Sequence, residues 1–162
     1  MKRLIIVRHA KSSWEFDVID HERPLKKRGV NDAHIVSNYL KTKRLNIDKV
    51  LSSDAVRAKT TAAIFIENLN IDKSMVELRH SLYDFAGRDL VNVIKNCDPS
   101  INCLMIFGHN HALTSFANTY GDTYIDNVTT SGVVIIEFDI NNWQNLNKGK
   151  TIEAIFPRDL KS

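Results

Sequence analysis

Apolar residues along this chain follow two rhythms. Leu4–Val7, Ile101–Phe107 and Val133–Phe138 are short runs of mainly aliphatic residues with almost no polar alternation, which predicts strands covered on both faces. Elsewhere the spacing is three and four. Val30, Ala33, Val36 and Leu40, flanked by Ile35 and Tyr39, predict an amphipathic helix to about Thr42, and Ala55, Val56, Ala58, Ala62, Ala63 and Ile66 predict another ending near Asn68. Ser53 or Asp54 is the expected cap of that second helix. Further helices are predicted over Arg88–Lys95 and from Ala112 to a stop at Gly121, and short strands over Ile47–Leu51, Met75–Leu78 and Thr151–Phe156.

Strands and helices therefore alternate over the first two thirds of the chain. Such alternation predicts an α/β fold, a three-layer sandwich with a largely parallel central sheet and an antiparallel edge formed by the last two strands. The Asn-rich Asn141–Lys150 segment is the expected hairpin connection between those two. Ser13–Leu25 is polar and irregular and predicts a loop following the first strand. Gly29 is expected to mark a close backbone approach, Tyr39, Phe65 and Phe116 to be core or partly buried aromatics, and Trp14 to anchor the loop. At 162 residues, with no repeat, low-complexity tract or linker, the expectation is one domain over 1–162 without a capping domain.

Two of the buried runs stop at histidine. Arg8-His9 follows Leu4–Val7, and Gly108-His109-Asn110-His111 follows Ile101–Phe107. In open α/β sheets, ligands bind at the carboxyl ends of the strands, so both histidines are expected in one crevice. Arg57 falls in the first turn of the second helix, whose N-terminus faces the same crevice. Two guanidiniums together with helix amides suit a tetrahedral dianion, because the planar fork of arginine pairs two oxygens at once. Phosphate is the natural ligand. Two fixed positive charges oppose a metal there, and neither a metal nor any other cofactor is expected. Within such a site one neutral histidine can attack phosphorus, while the arginines and the second histidine hold the equatorial oxygens.

The segments Arg8-His9-Ala10-Lys11-Ser12, Ser52-Ser53-Asp54-Ala55-Val56-Arg57-Ala58-Lys59-Thr60-Thr61-Ala62 and Gly108-His109-Asn110 resemble, in that order, the signatures of the histidine phosphatase superfamily. Arg23-Pro24-Leu25 to Gly29, Leu82-Tyr83 and Thr130-Ser131-Gly132 are similar to its small branch, the SixA-like phosphohistidine phosphatases. Ala10 stands where the more familiar form has glycine. The resemblance implies a phosphoglycerate mutase-like fold, His9 as the nucleophile phosphorylated in turnover, Arg8 and Arg57 as phosphoryl-binding groups and His109 as transition-state stabiliser. It adds Ser12 and Asn110 as further phosphate ligands. Larger members supply a carboxylic acid to the leaving group, for which Glu77 is the candidate, with His80 and Asp84 as rivals.

Composition narrows the partners. A net charge of +3, with basic clusters confined to Lys26-Lys27-Arg28 and Lys41-Thr42-Lys43-Arg44 beside a helix, argues against nucleic-acid binding. The apolar runs are too short to span a membrane, and the start lacks a secretory h-region, so a cytoplasmic protein is expected. Cys97 and Cys103 are expected to be reduced, buried thiols. The expected function is a metal-independent phosphatase acting through a phosphohistidine intermediate. Without a capping domain its site is open, which favours phosphohistidine on a partner protein such as a phosphorelay or phosphocarrier protein. The alternatives are a small-molecule phosphomonoesterase and a phosphate-binding regulatory module with little turnover.

Overall fold

A computed structural model of the chain describes residues 1–161. Its strands are β1 (Lys2–Arg8), β2 (Lys49–Ser52), β3 (Val76–Leu78), β4 (Cys103–Gly108), β5 (Val133–Phe138) and β6 (Lys150–Ile155). They form one sheet in the order β3-β2-β4-β1-β5-β6. β3, β2, β4 and β1 run parallel, while β5 pairs antiparallel with β1, and β6 with β5. The alternation of elements had this consequence: a parallel body with an antiparallel edge.

Helices α1 (Lys27–Lys41) and α2 (Val56–Asn68) supply one layer, and α3 (Arg88–Lys95) and α4 (Ala112–Tyr120) the other. Leu4 and Ile6 pack with Leu90, Ile94, Leu113 and Phe116, whereas Ile5 and Val7 pack with Val36, Leu40 and Phe65. Because successive strand residues face opposite layers, β1 has no solvated face and every position in its run must be apolar. Each such side chain contributes about 1.5–3 kcal/mol by its burial. Phe65 and Phe116 are core residues, and Tyr39 is half-buried.

Some boundaries differ from the pattern. β2 and β4 begin after Ile47 and Ile101, because the Asp48 carboxylate accepts the amides of Asn102 (3.0 Å) and Cys103 (2.9 Å) where the ladder would start. α2 has Ala55 at its cap, since Ser53 and Asp54 are occupied elsewhere: the Ser53 hydroxyl by the Ala55 amide and His109, and Asp54 by His21 and His80. A short α5 (Pro157–Leu160) follows β6 and adds Leu160 to the α1–α2 layer. Cys103 is buried and Cys97 half-buried, both as free thiols, and the two basic clusters flank α1 in solvent. Among the described residues no helix is long and apolar enough to cross a membrane.

The Ser13–Leu25 segment is a loop pinned at its ends. The Ser13 amide donates to the Pro24 carbonyl (2.8 Å) and the Lys26 amide to the Lys11 carbonyl (2.9 Å), leaving residues between them to arch over the end of β1. Gly29 makes this closure possible. A Cβ there would sit on the Lys11 carbonyl oxygen and 2.8 Å from the Lys11 nitrogen, both backbone atoms that cannot swing aside. Gly29→Ala is therefore expected to destabilise the fold by about 2 kcal/mol through overpacking, read as a lower urea midpoint at unchanged slope. An unchanged midpoint would refute the close approach.

Candidate active site

The register of the sheet brings the chemistry together. Arg8 of β1 lies beside Gly108 of β4, and Ser52 of β2 lies beside Phe107, so three neighbouring strands end level. Backbone bonds continue the alignment one residue further, from the His9 amide to the Gly108 carbonyl (3.2 Å) and from the Ser53 amide to the Phe107 carbonyl (3.0 Å). Ser131, in the left-handed region at φ 61°, turns its amide onto the carbonyls of both Arg8 and His9 (3.1 Å each). Arg8-His9, Ser53-Asp54 and His109-Asn110 thus leave the sheet at one edge, and Arg57 reaches it from the first turn of α2.

There a cavity of about 250 Å³ is lined by Arg8, His9, Ser12, Arg57 and Asn110, with Lys11, Trp14, Asp20, Arg23, Phe85 and Thr130 completing its wall. His109 is enclosed behind it: its ring centre lies 5.2 Å from that of His9 and 5.1 Å from that of Phe85. Arg8 donates to the Val128 carbonyl (3.0 Å), and Arg57 donates to the carbonyl (2.7 Å) and carboxylate (2.9 Å) of Asp20. The Nε groups of Arg8 and Arg57 and Nδ1 of His109 are buried without a hydrogen-bond partner. Buried donors left unpaired cost about 1–3 kcal/mol each, so a tetrahedral oxyanion is a ligand this arrangement can take.

A profile of the histidine phosphatase superfamily, branch 1, matches residues 4–89. An uncharacterised chloroplastic protein of Arabidopsis thaliana is 32% identical over 152 residues, covering 88% of this chain and 69% of its own. The chain belongs to the histidine phosphatase superfamily. In fold it matches the protein histidine phosphatase SixA, solved with tungstate, at TM-score 0.79 and 21% identity over 98% of this chain and 99% of SixA. Phosphoglycerate mutase from Bacillus anthracis str. Sterne has the same architecture, at TM-score 0.64 and 16% identity over 88% of this chain and 93% of its own. Membership and fold support phosphatase chemistry.

In this histidine phosphatase superfamily member, His9 Nδ1 lies 2.7 Å from the Ala10 carbonyl, a group that only accepts. The proton therefore sits on Nδ1, and Nε2 keeps its lone pair. Burial pushes the His9 pKa down to about 3, with the charges of Arg57, Arg8 and Arg23 acting in the same direction against the Ala10 hydrogen bond. His109 is also lowered to about 3, by burial first and then by His9, Arg57 and Arg8. Its Nε2 is 2.8 Å from the Ser53 hydroxyl, which can donate to the ring while it accepts the Ala55 amide (3.2 Å). With Ser53 as donor, the His109 proton is on the unpartnered Nδ1.

The proton-donor candidates fare differently from the arginines and histidines. Glu77 is solvent-exposed on β3, paired with Arg79, and outside the cavity wall. Asp84 accepts the amides of Ala86, Gly87 and Leu90 at the start of α3, and His80 pairs with Asp54. The carboxylate in the cavity is Asp20, which the pattern left in a featureless loop. Burial works against its charge, yet hydrogen bonds from Tyr83, Arg57 and Arg23 hold its carboxyl well below the ordinary range. Arg23, buried, also donates to Ser12 and carries Trp14 on its guanidinium face at 3.6 Å. Trp14 is itself exposed at the rim, where its ring stacks on the buried Arg23 guanidinium of the same loop. Arg23-Pro24 falls in a segment that the resemblance singled out, whereas no spacing pointed to Asp20.

Two depressed imidazoles tie stability to pH. The unfolded chain takes up these protons near pH 6.5 and the folded chain near 3, so stability is full above 6.5 and declines as pH falls toward 3. At pH 5 the loss is on the order of 2 kcal/mol per histidine. Urea denaturation at pH 7.5 and 5.0 in phosphate-free buffer should register this drop, and His109→Gln should shrink it by about half. An equal drop in both proteins would exclude the buried imidazoles as its source.

Proposed function

We propose that this chain is a metal-independent phosphatase that works through a phosphohistidine at His9 and removes phosphate from phosphohistidine on a partner protein. One observation carries the reading: a neutral His9, its Nδ1 proton held by the Ala10 carbonyl, offers a free Nε2 in a cavity whose buried arginine Nε groups lack partners. Nε2 attacks phosphorus as the bond from phosphorus to the substrate imidazole breaks. The departing imidazole takes its proton from solvent, and water then attacks phospho-His9 to release phosphate and restore the ring. Arg8 and Arg57 bind the equatorial oxygens, the Nδ1 proton of His109 meets the charge that builds in the transition state, and Ser12 and Asn110 border the same group.

The substrate class rests on leaving-group chemistry and on size. Asp20, the carboxylate in the cavity, is held ionised and has no proton to give, which suits a phosphorylated imidazole better than an alkyl phosphate. A volume of about 250 Å³ is below the range of about 300–1,000 Å³ typical of pockets that enclose whole small molecules. On its wall Trp14 and Phe85 expose apolar surface, a rim suited to the surface of another protein. The match in fold to SixA, a protein histidine phosphatase solved with the oxyanion tungstate, agrees with the reading.

The test is phosphate release in EDTA from a phosphohistidine-bearing phosphocarrier protein and from a panel of small phosphomonoesters. Release from the phosphoprotein, reduced at least 10³-fold by His9→Ala, is expected. Release confined to small esters would instead assign a phosphomonoesterase, and binding of phosphate without release a regulatory module. Trp14→Ala is expected to raise KM for the phosphoprotein severalfold and to leave turnover of free phosphoimidazole unchanged; equal effects on both would remove the docking role of the rim.

A further inference from the structure

Beside the phosphoryl cavity, three side chains of metal-binding chemistry converge on one point. His21 comes from the turn at Asp20–Glu22 in the first loop, Asp54 from the connection between β2 and α2, and His80 from the turn that follows β3. Nε2 of His21 is 2.8 Å from Oδ1 of Asp54, and Nδ1 of His80 is 3.1 and 3.0 Å from the two carboxylate oxygens. One ligand atom from each of the three lies within 4.8 Å of the other two. We propose that His21, Asp54 and His80 bind a divalent transition-metal ion, with Zn²⁺ the best match.

The ligand set argues for this. Two imidazoles and one carboxylate give three protein ligands to a tetrahedral ion, with the fourth position left to water. Ligand atoms about 2.0–2.2 Å from such an ion stand about 3.3 Å apart, so the two histidine–carboxylate distances have to open by a few tenths of an ångström, while the histidine ligand atoms already lie within 4.8 Å of each other. Magnesium and calcium prefer sets made of oxygen alone, which excludes them as the better fit. Among the described residues the Asp54 oxygens accept hydrogen bonds from these two histidines and from no other side chain. Tyr83 stands edge-on to the His21 ring, with centres 4.9 Å apart at 88°, and fixes its orientation. His21 and Asp54 are half-buried and His80 is exposed, so an ion can enter from solvent.

Such an ion joins three segments that are distant in the chain. His21 follows Asp20, whose carbonyl and carboxylate both hold Arg57, so coordination at His21 fastens the first loop to the sheet edge at the guanidinium it braces. No step of phosphoryl transfer passes through the ion.

The proposal is tested by titrating the full chain with Zn²⁺, using calorimetry and competition against a chromogenic chelator. One ion per chain with a Kd of about 1 μM or tighter is expected for wild type and for His9→Ala, which removes one of the two cavity imidazoles. His80→Ala and Asp54→Asn, each verified as folded by circular dichroism, are expected to bind at least tenfold more weakly. Tight binding that survives in His80→Ala, binding that disappears in His9→Ala, or wild-type affinity weaker than about 100 μM would each overturn the site. The readout needs no turnover, so it stands apart from the test of phosphatase activity.

Discussion

Positive charge in a small, largely buried space is the constraint around which this protein is arranged. Arg8, Arg23 and Arg57 border one cavity, and Arg23 and Arg57 are almost wholly buried. Guanidiniums stay protonated at any physiological pH, so the surroundings must adjust to them. Asp20 is the adjustment in the unliganded protein. Its carboxylate pairs with Arg23 and Arg57, and its backbone carbonyl takes a further guanidinium proton. The same field, added to burial, keeps His9 and His109 neutral. A cationic frame thus keeps the imidazole lone pair free of a proton and suits an oxyanion at the same time.

Holding that frame requires the strand ends to stay level. Parallel pairing of β1 with β4, and of β4 with β2, fixes the register, and the Ser131 amide secures the carbonyls of Arg8 and His9. The first loop then closes over the edge, tethered through Lys11, Ser13, Pro24 and Lys26 and by the tight approach at Gly29. Each contact is ordinary. Together they set the distance between a histidine at the end of one strand and an arginine on a helix nearly fifty residues later.

The rim has a different character from the floor. Trp14 and Phe85 present apolar surface on the wall of a cavity otherwise lined mainly by charged and polar side chains. The cluster of His21, Asp54 and His80 lies on the same margin and uses groups that the phosphoryl chemistry leaves free.

The layered α/β fold and the elements that carry Arg8, His9, Arg57 and His109 were readable from the chain alone. Burial on both faces demands unbroken apolar runs, helices demand their own spacing, and the residues at which a run stops must lie at a sheet edge. A loop after the first strand was expected near the site, but which of its residues enter the cavity was not readable from periodicity. A polar, irregular segment has no period, so nothing local distinguishes Asp20 and Arg23, which face the cavity, from Glu22, which faces solvent. The resemblance also made Glu77 a candidate, and the structure shows its side chain exposed and paired with Arg79. Periodicity and residue chemistry determined the fold and the strand and helix ends that carry Arg8, His9, Arg57 and His109. Only the tertiary structure decided which carboxylate, loop and rim residues join them, because those contacts form between segments whose relation is set by packing and not by spacing.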